Sequence, residues 1–185
     1  MNIKKICITN RQLVSGDYFK QIERALNTDI YALILREKDL SAKEYLSLAK
    51  KVLKLCEKYD KMCVLHTYTD VAIELGCRNI HLTMNDLREL TSDKRKCFDI
   101  VGASTHTVDE ALEAQRLSAT YITASHIFET QCKAGVKPRG LDYLRDVAGA
   151  VDIPVYALGG VHYDNIVECI SHGASGVCMM SEYMY

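Results

Sequence analysis

The chain has 185 residues, 48% of them apolar and 25% charged, with a formal net charge of −1. That is the balance of an ordinary globular protein, long enough for one well-buried domain over 1–185 and short for two. The longest basic cluster, "KRK" at 94–96, is too short for a nucleic-acid surface, and no apolar run reaches the length of a secretion signal or membrane span. A cytoplasmic protein with no nucleic-acid or membrane partner is therefore expected.

In chain order, short β-rich apolar runs alternate with amphipathic helical ones. The first strand is expected over Ile3–Thr9 and the second over Ile30–Arg36. A helix follows in "SAKEYLSLAKKVLKLCEKY" (41–59), where Tyr45, Leu46, Ala49, Val52, Leu53 and Cys56 recur at helical spacing. Ser41 and Glu44 form a capping box at its start. Strands are then expected over Met62–His66, Arg78–Leu82 and Phe98–Gly102, and a second helix in "TVDEALEAQRL", opened by Thr107 and Glu110. Three more strands complete the pattern, over Thr120–Ala124, Ile153–Leu158 and Gly176–Met180. Cys7, Cys63, Cys97 and Cys178 lie in or beside these runs, and no cysteine pair has CxxC spacing, so reduced core thiols are expected.

Strands alternating with helices imply parallel pairing with right-handed crossovers. Eight such strands, nearly continuous in apolar character, predict an α/β fold, a closed (β/α)8 TIM barrel, with an open doubly wound sheet as the alternative. After the eighth strand only "SEYMY" remains, too short for a full closing helix. The barrel is thus expected to lack its final helix, leaving a seam between strands eight and one. A second copy in a homodimer, or a displaced helix, is expected to cover it.

Active sites in such barrels collect at the C-terminal ends of the strands. Those ends read "REK" (36–38), "HTYTD" (66–70), "HLTMND" (81–86), "GASTH" (102–106), "SHIFET" (125–130), "LGGV" (158–161) and "MMS" (179–181). Taken singly, each has a bland reading: Arg36-Glu37-Lys38 as a solvated loop, His81 as a satisfied barrel histidine, His162 as an exposed loop residue. Their shared position at one rim points to a site. Gly159 and Gly160, with Met180 and Ser181 on the next strand end, are candidates to hold a phosphate, because adjacent glycines let backbone N–H groups approach an anion closely. A zinc site from His66, His106 and His126 is disfavoured by the absence of closely spaced ligands. His172, before Gly173, suits a helix C-terminus.

The motifs "LREKD", "GASTHTVDEA", "FETQCKAGVKPRGL", "IPVYALGGV" and "GASGVCMMS" occur in the order and spacing of the thiamine phosphate synthase and TenI superfamily. The resemblance runs from about residue 6 onward. It implies a TIM barrel acting on a phosphorylated thiazole of thiamin biosynthesis. The synthase branch carries Gln-x-Arg-Glu-Lys after strand two, where this chain has Ile34 at the glutamine. It carries Ile-Asn-Asp after strand three, where this chain has Leu65-His66-Thr67. Its Gly-Gln-x-Asp becomes Thr83-Met84-Asn85-Asp86, and the second threonine of its Gly-Pro-x-Phe-x-Thr-x-Thr-Lys loop becomes Cys132.

The loop Ser125–Lys133 is more similar to the TenI branch, the thiazole tautomerases, with His-x-Phe-Glu-Thr-x-Cys-Lys. That resemblance implies an isomerase that aromatises a carboxylated dihydrothiazole phosphate by a proton shift, with His126 as the acid/base. His126 could instead bond Glu129 or a backbone carbonyl and only fix the loop. Arg36, Lys38 and Lys133 would face the substrate carboxylate, with His66, His106 and Thr130 also at the substrate, and no metal or cofactor would be needed. The alternatives are a thiamine phosphate synthase joining a pyrimidine diphosphate to a thiazole phosphate, with magnesium on Asp86, and a non-catalytic phosphate-ligand-binding relative.

Overall fold

The structure is a computed structural model that describes residues 3–185, the side chain of Cys132 excepted. Eight parallel strands close into a barrel in chain order: β1 (Lys4–Ile8), β2 (Ala32–Leu35), β3 (Met62–His66), β4 (Asn79–Thr83), β5 (Ile100–Thr105), β6 (Tyr121–Ser125), β7 (Val155–Leu158) and β8 (Gly176–Met179). Between them run α1 (Tyr18–Leu26), α2 (Ala42–Lys58), α3 (Thr69–Glu74), α4 (Met84–Glu89), α5 (Ser92–Arg95), α6 (Val108–Arg116), α7 (Gly140–Ala150) and α8 (Ile166–Ser171), and α9 (Ser181–Met184) follows β8. This is the (β/α)8 barrel expected from the alternation. No helix among the described residues is long and apolar enough to cross a membrane.

Strand side chains alternate between two buried layers. Ile6, Ile8, Ala32, Ile34, Val64 and Cys178 fill the barrel interior with Tyr121 and Tyr156. Their neighbours Cys7, Leu33, Leu35 and Leu65 point outward and pack beneath the helices. Burial on both faces explains why the strands read as continuous apolar runs. The capping box of α2 forms as expected, with Ser41 Oγ accepting from Glu44 N–H and the Glu44 carboxylate accepting from Ser41 N–H. Thr107 caps α6 by accepting from Glu110 N–H, while the Glu110 carboxylate accepts from His106 N–H, and His172 caps the C-terminus of α8.

Two expectations need correction. The fifth strand was expected over Phe98–Gly102 but runs Ile100–Thr105. Phe98 N–H bonds back to Arg95 O, so the turn leaving α5 claims it, while the polar pair Ser104-Thr105 continues the ladder against Thr123 and Ala124. The seam is the other correction. The outward residues Cys7, Val177 and Met179 are all buried within the chain. One helical turn, α9, buries Tyr183 and Met184 there, and Gln21 of α1 donates its side-chain amide to Tyr183 O at 2.6 Å. A single turn plus α1 does the work of a full closing helix, so the seam supplies no reason for a dimer.

Candidate functional site

The C-terminal ends of the strands surround a cavity of about 570 Å³. Strand alternation decides what faces it at β2. Arg36 and Lys38 line the cavity, while Glu37 between them points outward and is buried. The Glu37 carboxylate accepts from Thr9 O–H (2.7 Å), Tyr18 O–H (2.8 Å) and Arg11 N–H (3.1 Å). Thr9 Oγ1 in turn accepts from Arg36 N–H at 3.0 Å. These bonds tie the β1–α1 loop to the strand end and leave the flanking cations aimed inward.

Lys133, from the loop after β6, joins them on the wall with Thr130. Burial, then the nearby Arg36, lowers the Lys38 pKa; burial, then Arg139, lowers that of Lys133. Among the described residues none of Arg36, Lys38 and Lys133 forms an ion pair. Desolvated, unpaired, mutually repelling cations favour an anion.

Across β7 and β8, Gly159, Gly160, Met180 and Ser181 line the same cavity. The backbone there requires glycine. Gly159 has φ +95° and Gly160 φ +65°, and a Cβ on either would lie 2.2 Å from His126 Cβ or 2.3 Å from Glu129 O, respectively. Neither glycine N–H has a backbone acceptor among the described residues, nor does that of Ser181. Free N–H groups on a bare backbone give the cavity a second edge suited to an anion.

The histidines divide by environment. His66 of β3 and His81 of β4 stack at 5.5 Å between ring centroids and are almost fully buried. Burial, then Lys38 and Arg36, brings the His81 pKa down to about 3; burial, then His81, holds His66 well below its usual range. Both rings are neutral at physiological pH. His106 lies at the cavity with Nδ1 3.0 Å from Ser125 O. His126 also reaches the wall, 3% exposed; its Nε2–H donates to Val136 O at 3.2 Å, and Nδ1 is buried without a partner. The bond to a backbone carbonyl is the loop-fixing geometry.

The residues expected to act on, bind or anchor the substrate thus all border one cavity, whereas Glu37, Thr67 and Asp86 from the same strand ends do not. Sequence reasoning passed over Ser104, because the fifth strand was ended three residues early, and left His81 without a functional part. His162 was expected to be merely exposed; instead it lines the cavity and its Nδ1 sits 2.5 Å from Glu182 Oε1. No sequence signal links those two. The side chain of Cys132 lies outside the described residues.

Asp86 is spoken for locally. Its Oδ2 accepts from Thr83 N–H (3.2 Å) and Thr83 O–H (2.7 Å) in the capping box of α4, and Thr67 Oγ1 lies 3.5 Å away. Among the described residues no group of three or more His, Cys, Asp or Glu could hold a metal ion. With Thr67 in place of a second carboxylate, the residues do not fit a magnesium held by the protein itself. Thr67 nevertheless has φ +65°, a left-handed backbone that a β-branched residue adopts poorly and aspartate adopts more readily. Thr67→Asp is therefore expected to create a cation site beside Asp86. At magnesium tenfold above its Kd, the melting temperature of the variant should rise by about 3–6 °C. The unsubstituted chain measured in parallel should not respond, and an unresponsive variant would count against the pairing of positions 67 and 86.

A (β/α)8 barrel whose mouth carries two edges suited to anions is the class that fold and site define. The model of the family described as thiamine monophosphate synthase matches residues 6–183, and the chain belongs to that family. A thiamine-phosphate synthase of Caldanaerobacter subterraneus is 34% identical over 178 residues, covering 92% of this chain and 81% of its own length. One from Pyrococcus abyssi is 31% identical over 182 residues, covering 98% and 87%. Among solved structures, a thiamine phosphate pyrophosphorylase from Pyrococcus furiosus superposes with a TM-score of 0.83 at 27% identity, covering 99% of this chain and 88% of that one. These are names of transferases. They overturn the isomerase expected from the His126 loop.

Proposed function

We propose that the chain is a transferase of the synthase type, joining a pyrimidine diphosphate to a thiazole phosphate. The observation that carries this reading is the pair of anion-binding edges on one cavity: unpaired Arg36, Lys38 and Lys133 on one side, the Gly159-Gly160 backbone with Ser181 on the other. A ligand with one phosphate needs one such edge. Two phosphorylated reactants meeting in one cavity need two. The whole-chain likeness to synthases supports the same reading.

In the reaction so assigned, the thiazole ring nitrogen forms a bond to the exocyclic carbon of the pyrimidine. The bond from that carbon to the diphosphate oxygen breaks, and its electron pair leaves with the diphosphate. Negative charge grows on the departing group, and the three cations receive it in a partly desolvated setting, where such stabilisation is strongest. The glycine edge anchors the thiazole phosphate so that its ring meets the reacting carbon, converting an encounter of two ligands into a positioned one.

The test is to incubate the chain with both substrates, with and without added magnesium, and follow thiamine phosphate and released diphosphate. Product is expected in at least one arm. Lys38→Ala is expected to lower kcat/KM by about 10- to 100-fold, the effect of losing a charge-assisted contact to the leaving group. Absence of product in both arms would overturn the reading.

A further inference from the structure

At the cavity floor, three side chains directed into the barrel form a continuous hydrogen-bond chain. Register places His81 beside Gly102 and Gly102 beside Tyr121. Tyr121 OH lies 2.9 Å from His81 Nδ1, and His81 Nε2 lies 2.9 Å from Ser104 Oγ. The contact exists because residue 102 has no side chain. A Cβ there would sit 2.1 Å from Tyr121 Cζ and 2.5 Å from His81 Nδ1. Ser104 lines the cavity, whereas Tyr121 belongs to the apolar cluster of the interior.

The direction of the protons follows from counting. Neutral imidazole carries one N–H and one acceptor nitrogen, and each hydroxyl carries one proton. If Ser104 donated to Nε2, then Nδ1–H would donate to Tyr121, and the Tyr121 proton would need another acceptor. Among the described residues its hydroxyl has no partner except His81. That arrangement strands a buried donor, which is costly. In the opposite arrangement Tyr121 O–H donates to Nδ1, Nε2–H donates to Ser104 Oγ, and the last free proton stands on Ser104 at the cavity wall. Burial keeps the His81 ring neutral, as the count requires, and the stacked ring of His66 holds its plane.

We propose that Tyr121 and His81 are positioning residues that hold Ser104 as an obligate hydrogen-bond donor to the organic ligand in the barrel mouth. The group it reads is a proton-free acceptor, a ring nitrogen or an anionic oxygen. A ligand donor at that place would leave the Ser104 proton without an acceptor and is disfavoured.

The proposal rests on the transferase reading only in its kinetic arm, so two measurements are made. First, long-range ¹H–¹⁵N spectra of the ligand-free, uniformly labelled chain, with His81 identified by its loss in His81→Gln, should show one tautomer, Nε2–H. Tyr121→Phe should then show a mixture with Nδ1–H. Second, in the coupling assay Tyr121→Phe should lower kcat/KM by about three- to tenfold, the worth of one hydrogen bond. In a Ser104→Ala background it should add nothing, since the effect travels through Ser104. A wild-type Nδ1–H tautomer overturns the proposal, as do additive effects in the double variant. If the chain proves inactive in the assay, the spectra alone decide the matter.

Discussion

Gly160→Ala is expected to weaken phosphate binding and to destabilise the barrel together. The residue sits at φ +65°, where a Cβ would lie 2.3 Å from Glu129 O and 2.8 Å from Phe128 Cβ. An L-residue there costs about 1–2 kcal/mol for the left-handed backbone alone. Relief of the contact must move backbone, so a total near 3 kcal/mol is expected, read as a shift in urea midpoint. The same movement turns the Gly159 and Gly160 N–H groups away from the cavity. Titration with inorganic phosphate should show affinity reduced by about 10- to 100-fold, the worth of one charge-assisted hydrogen bond. A destabilised variant with unchanged phosphate affinity would show that the glycine pair serves only the turn.

Acidification should weaken the fold well before the carboxylates titrate. His81 has its folded pKa lowered to about 3 and His66 is lowered in the same sense, both chiefly by burial. The unfolded chain binds these protons near pH 6.5, so it gains protons that the folded chain refuses. Stability is fully present above about pH 6.5 and is lost as pH falls toward the folded values. At about pH 5, His81 alone accounts for a loss near 2 kcal/mol, and His66 adds to it. The carboxylates with lowered pKa, such as Asp29, Asp39 and Asp99, contribute with the same sign but only below about pH 4.5. Urea unfolding at pH 7, 6 and 5 separates the two windows. A flat profile above pH 5 would mean that both rings take up protons in the folded chain as readily as in the unfolded one.

The barrel was legible because parallel strands buried on both faces leave continuous apolar runs, and because helix caps such as Ser41–Glu44 carry local signatures. The fifth strand was misplaced for a physical reason. Phe98 is apolar but belongs to a turn, whereas Ser104 and Thr105 are polar yet paired in the ladder. That shift concealed Ser104, since its direction into the barrel depends on the strand continuing past Gly102. The site's location was legible from a fold-level rule, the mouth of the barrel. The tyrosine–histidine–serine chain was not, because nothing in the spacing of 81, 104 and 121 records their register. The isomerase expectation rested on the Ser125–Lys133 loop and on single positions such as Ile34, His66 and Thr67, whereas the kinship with synthases extends along nearly the whole chain. Tyr183 and Met184 close the seam with a single turn, a length too short to stand out in "SEYMY".

The clasp on Glu37 also governs the sign of the mouth. Just past the end of β2 the order is cation, carboxylate, cation, and successive side chains keep the strand's alternation of faces. A slip of one residue in the pairing of β2 would turn Glu37 into the cavity and drive Arg36 and Lys38 into the apolar layer outside the barrel. The anion-attracting end would then repel its ligand, at the added expense of two buried, unpaired charges. The partners of Glu37 on Thr9, Arg11 and Tyr18 exist only in the native pairing. A chain misassembled at this strand would thus be both less stable and of the wrong polarity to hold an anion.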